Sequence, residues 1–159
     1  MSLSNFKLFG WEKKPRTVLR SIKPGDVFCF EVSKGRYCFG RIIAKVSVGH
    51  TAEIYDLFLP EPTVSEQQIS AAKRIIPPVV LDSYGLFDKK ISGEWRIIGS
   101  GPEFIPGDVD NFYFVYGAEE NRKKVDIFGN TSPVSNAASQ DYPAYSPKQD
   151  DQIKFMLGA

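Results

Sequence analysis

Residues 21–44, Ser-Ile-Lys-Pro-Gly-Asp-Val-Phe-Cys-Phe-Glu-Val-Ser-Lys-Gly-Arg-Tyr-Cys-Phe-Gly-Arg-Ile-Ile-Ala, constrain the fold more than any other stretch. Lys23-Pro24-Gly25-Asp26 breaks the chain, because proline fixes φ and glycine permits φ > 0. Val27 to Val32 is rich in β-formers, Lys34-Gly35 supplies a two-residue turn, and Tyr37 to Ala44 returns. The segment reads as a β-hairpin, which would serve in any β domain.

A two-residue turn sets Ser33 opposite Arg36, and counting back from there sets Cys29 opposite Gly40 and Cys38 opposite Glu31. Phe28, Phe30, Val32, Tyr37 and Phe39 then form one aromatic face, expected to be core. Arg41 ends that row, where it leaves the core or meets a carboxylate. The two cysteines share a face but sit diagonally, roughly 7–8 Å apart, beyond comfortable disulfide reach. Both are expected to be reduced and to behave as small apolar side chains.

The rest of the chain continues in short pieces. Thr17-Val18-Leu19 is suited to begin a strand, and Ile42–Val48 extends the second hairpin strand. His50, beside Gly49, reads as a polar turn residue. Thr51–Leu59 is a further strand, stopped by Pro60-Glu61-Pro62. Thr63–Ile76 is the clearest helix candidate: Thr63 and Glu66 fit a capping box, Ile69, Ala72 and Ile76 share a face, and Pro77-Pro78 ends it. Short strands are expected at 79–82, 94–98 and 111–116, the last pairing with Lys123–Phe128 across 117–122. Residues 131–147 read as a loop, and 150–157 as a short final helix.

With 11 prolines and 13 glycines in 159 residues, the expectation is one domain, 1–159, with a less regular C-terminal segment at 131–159. The fold class is mostly β: an antiparallel, twisted sheet or partly open barrel with one or two short helices. No apolar run approaches the roughly 20 residues needed to cross a bilayer. The N-terminus lacks the pattern of a secretion signal, so a cytoplasmic location is expected. Net charge is +1 but unevenly spread. Residues 1–23 carry six Lys/Arg against one Glu, and residues 101–159 carry nine Asp/Glu against five Lys/Arg.

The inventory for catalysis is poor. His50 is the sole histidine, and no Gly-x-Ser-x-Gly elbow or phosphate-binding loop is present. Gly99-Ser100-Gly101-Pro102 misses dinucleotide spacing, and Asp108 and Asp110 lack the rest of a calcium loop. Two cysteines and one histidine are too few for a structural zinc without carboxylate help. The chain is expected to be no enzyme, with no cofactor and no metal.

Several segments together carry a family resemblance. They are Lys13-Lys14-Pro15-Arg16, Gly25–Phe30, Phe39–Ile43, Ala52-Glu53-Ile54-Tyr55-Asp56, Pro78–Asp82 and Gly93–Gly99. Each is short, but their order and spacing resemble the immunity protein 26 family over roughly residues 11 to 105. The resemblance implies a mostly β, non-catalytic bacterial protein of a polymorphic toxin system, as in contact-dependent inhibition. Such a protein binds and neutralises a cognate toxin domain and needs no membrane.

Composition supplies candidates for the partner-binding residues: Glu119, Glu120, Asp141, Tyr142, Tyr145, Asp150 and Asp151. Tyrosine suits interfaces because it joins large contact area to a polar tip. The opposing expectation is that the tyrosines pack onto the domain and the acids face water. A monomer or weak dimer is expected. The alternative function is a β-barrel interaction or nucleic-acid-binding module using Lys13, Lys14, Arg16 and Arg20 with Phe9 and Trp11. The near-zero net charge argues against nucleic acid.

Overall fold

The computed structural model describes residues 6–12, 17–88 and 94–158. Among the described residues, nine strands form two antiparallel sheets. They are β1 (Lys7–Leu8), β2 (Val27–Ser33), β3 (Arg36–Val46), β4 (Gly49–Leu59), β5 (Val79–Leu81), β6 (Trp95–Ser100), β7 (Phe114–Tyr116), β8 (Lys123–Val125) and β9 (Thr131–Pro133). The larger sheet has the order β1-β6-β2-β3-β4-β5, and the smaller has β7-β8-β9. β1 and β5 remain edges, so the larger sheet does not close into a barrel. Among the described residues there are also three short α-helices, α1 (Glu66–Ala71), α2 (Asn136–Ser139) and α3 (Asp150–Met156), two 3-10 turns at Leu19–Ser21 and Glu119–Asn121, and a π-helical turn at Tyr84–Asp88.

The hairpin forms where the sequence predicts, with Ser33 opposite Arg36. Its register differs from simple counting. Glu31 pairs with Tyr37, so Val32 is an extra residue on β2 and forms a β-bulge. One extra residue reverses the side assignment of everything beyond it. Cys29 therefore faces Phe39, and Cys38 faces Phe30. The expected single aromatic row is split between the two faces of the sheet. Phe28, Phe30, Val32, Cys38 and Ile42 belong to one apolar cluster, and Val27, Cys29 and Phe39 to another. The cysteines are buried free thiols on opposite faces.

The first cluster is the main core. Phe30 stacks on Trp95 at 3.9 Å between centroids and 2° between planes, and Phe28 and Phe87 complete the aromatic group. Gly40 is needed beside it, because a Cβ there would collide with the Phe28 ring and the Glu53 carbonyl. The opposite face of the sheet is divided. Val27, Cys29, Phe39, Tyr55, Val64, Ile69 and Ile98 form one cluster, while Ile43, Val46 and Val80 pack against Phe114, Val125 and Ile127 of the smaller-sheet region.

Four local expectations are corrected, one being the loop at 131–147, which contains β9 and α2. The 19–21 segment is a 3-10 turn rather than part of a strand from Thr17. The helix after Pro62 is shorter than 63–76, with its capping box two residues later: Ser65 Oγ accepts from Gln68 N, and Gln68 Oε1 accepts from Ser65 N. His50 lies inside β4, not in the turn, and is 2% exposed. Its Nδ1 is 2.7 Å from Ser83 Oγ, while Nε2 makes no hydrogen bond. The predicted 150–157 helix is α3, and Lys123 and Tyr116 pair as expected.

Candidate functional site

The divided face of the larger sheet opens into a cleft of about 840 Å³. Its opening follows from the chain after α1. Arg74 bridges Tyr55, and the ladder resumes only at Val79 opposite Ala52. Two residues of β4, Glu53 and Ile54, thus face the longer stretch Ile75–Pro78. Pro77 and Pro78 have no N–H to donate to a ladder, so continuous pairing fails there. The other wall is residues 101–112, including Phe104 and Pro106. That segment approaches so closely that a Cβ at Gly25, whose φ is +90°, would collide with the carbonyls of Gly101 and Pro102.

A buried polar network forms the floor. Arg41 and Glu53 are cross-strand partners on β3 and β4, and Tyr55 follows two residues on, facing the same side. Arg41 is 9% exposed and its guanidinium lies between the rings of Phe6 and Phe104, 4.6 and 4.1 Å from their centroids. Its Nη2 donates to Pro102 O at 2.6 Å and its Nε to Gly25 O at 3.3 Å. Burial lowers its pKa from the usual arginine value, yet the guanidinium keeps its proton at neutral pH. Glu53 is 6% exposed and accepts from Arg74 Nη1 at 2.8 Å. The Tyr55 hydroxyl lies against both Glu53 and Arg41, and burial together with Glu53 raises its pKa, so it stays protonated.

Of this network the sequence reading contains only Arg41, with the alternatives of leaving the core or meeting a carboxylate. The cleft itself was not legible, because its lining comes from three separated segments. The signal available was the alternation Arg41 and Glu53, Tyr55 on strands that pair, with Pro77-Pro78 interrupting the next edge.

The composition-based candidates do not converge on one place. Glu119 and Glu120 are exposed in a 3-10 turn between β7 and β8. Asp141 is exposed after α2. Tyr142 packs edge-on against Tyr113 at 5.4 Å, and Tyr145 packs against Phe114 and Tyr116 while its hydroxyl meets Ser47 Oγ at 2.9 Å. Asp150 accepts from the Trp95 indole at 2.7 Å and pairs with Lys154 at 3.0 Å. Asp151 is exposed and accepts from Gln152 N. Lys13, Lys14 and Arg16 lie outside the described residues, and Arg20 is exposed. Among the described residues, no group of three or more His, Cys, Asp or Glu side chains is placed to hold a metal ion.

The family model for immunity protein 26 matches residues 23–126. This chain belongs to the immunity protein 26 family. The match begins later than the resemblance read from short motifs and runs further, past Tyr116 and through the β7–β8 hairpin. No curated protein and no solved structure matches the chain significantly. The family's name gives the chain an immunity role in toxin systems. Apart from the outlying Phe6, every cleft residue described above lies within the immunity protein 26 match, as do Glu119 and Glu120. Asp141, Tyr142, Tyr145, Asp150 and Asp151 lie beyond it. No helix among the described residues is long and apolar enough to cross a membrane.

Proposed function

We propose that this immunity protein binds a cognate bacterial toxin domain and neutralises it by direct, non-catalytic complex formation in the cytoplasm. The family match over residues 23–126 carries the reading. The placement of the reactive residue types supports it. His50, Cys29 and Cys38 are enclosed in the core, and burial raises both thiol pKa values, that of Cys38 to about 12. Groups so placed cannot meet a substrate, whereas a stiff double-faced sheet presents fixed surface residues to a partner.

Within this reading Glu119, Glu120, Asp141 and Asp151 supply exposed negative charge that speeds and orients encounter. Tyr142 and Tyr145 supply aromatic contact area. Asp150 contributes by fixing α3 through Trp95. The protein acts as a monomer or weak dimer.

Co-expression with the toxin domain encoded immediately upstream tests the proposal. Growth rescue and a stoichiometric co-purifying complex are expected. Joint charge reversal at Glu119, Glu120, Asp141 and Asp151 is expected to weaken the complex, most strongly at low salt. No rescue and no complex would end the reading.

A further inference from the structure

We propose that the cleft over Arg41, Glu53, Tyr55 and Arg74 is the docking site for an acidic side chain of the toxin, borne on a segment with an apolar neighbour. The inference rests on the immunity reading and names the contact within it.

Charge points to the ligand. The cleft is lined by three cations, Arg41, Lys73 and Arg74, against two carboxylates, Glu53 and Asp108. Glu53 is already committed to Arg74 at 2.8 Å. None of the ion pairs among the described residues involves Arg41, which donates to two neutral carbonyls, lies against the Tyr55 hydroxyl and shares the field of Glu53 with Arg74. One positive charge is therefore left over in a partly desolvated place, where an incoming carboxylate gains more than it would at an open surface. Arg41 is held by two rings and two carbonyls, so little ordering is needed when the ligand arrives.

The rim points to the flanking chemistry. Ile105 is 82% exposed at the mouth, beside Phe104 and Pro106. An apolar side chain next to the carboxylate would cover Ile105 while the charge enters. Nucleic acid fits less well. A phosphate backbone favours a track of cations, and here two carboxylates and an apolar rim interrupt it.

The test uses the whole chain and the upstream toxin domain as the probe, with affinity measured by calorimetry. Lys73→Glu and Ile105→Asp alter exposed side chains, so both variants should keep the wild-type melting profile. Each is expected to weaken the complex by about tenfold or more, the scale of a real interface anchor. A toxin variant with one surface Asp or Glu changed to Lys should recover the affinity lost by Lys73→Glu. Wild-type affinity in both variants would overturn the cleft assignment and leave the immunity reading standing. Absence of any complex with the wild-type chain would overturn both. An RNA oligonucleotide that binds the wild-type chain and is released by Lys73→Glu would also overturn it, giving the cleft to phosphate.

Discussion

Acidification is expected to cost this fold about 3 kcal/mol through a single side chain, His50. The ring is 2% exposed in β4, and its pKa is lowered from 6.5 to about 4. Burial is the largest cause, nearby Lys45 adds to it, and the Ile22 backbone acts weakly the other way. The neutral ring makes its 2.7 Å hydrogen bond to Ser83 Oγ through Nδ1, as donor or as acceptor. The folded protein thus holds the neutral ring, while the unfolded chain takes a proton below about pH 6.5. Stability from this source is complete above the unfolded pKa and is lost as pH falls from 6.5 towards 4. The slope approaches 1.4 kcal/mol per pH unit, and the shift of about 2.5 units sets the total near 3 kcal/mol. Urea unfolding followed by tryptophan fluorescence across this range measures it. His50→Asn keeps an N–H donor and removes the titration, so the difference between the two proteins isolates His50 from carboxylates that protonate in the same direction. Parallel pH profiles for wild type and His50→Asn would refute the argument.

Three further outcomes are expected. Phe30→Ala removes the ring stacked on Trp95 and should cost about 3–5 kcal/mol in chemical denaturation; an unchanged midpoint would contradict its place in the core. Asp150→Ala leaves the Trp95 indole N–H without its acceptor and Lys154 with Glu94 as its remaining partner, which should cost about 1–3 kcal/mol and shift tryptophan emission, whereas an unaltered spectrum and stability would show the bond to be idle. A disulfide-exchange thiol reagent should leave native Cys29 and Cys38 unmodified at mildly alkaline pH, because both are buried and protonated there, and should titrate two thiols after unfolding; rapid native reaction would disprove the burial.

The parts of the fold written in local chemistry were legible. Lys34-Gly35 marked its turn, the Asn111–Tyr116 aromatic run contained β7, and residues 150–157 contained α3. What local chemistry could not decide was pairing. Nothing in Val32 distinguishes a residue that pairs from one that bulges, since both are β-branched residues in extended chain, so the faces came out wrong from a correct turn. Thr63–Glu66 and Ser65–Gln68 are both plausible caps, and packing of Ile69 onto Val64 and Tyr55 accompanies the second. The cleft was hidden for the same reason at larger scale: Arg41, Glu53 and Arg74 are adjacent only after β3, β4 and the Pro77-Pro78 interruption are laid side by side.

The bulge at Val32 also limits how this hairpin can be edited during evolution. Adding or removing one residue between Val32 and the turn would swap the occupants of two separate interiors, sending Phe30 and Phe28 towards space shaped for Cys29 and Val27. Changes of two residues keep both interiors intact, and so does a single insertion that is cancelled by loss of the bulge. Length differences among relatives in this hairpin should therefore come in even steps, or as an odd step matched by a second one nearby.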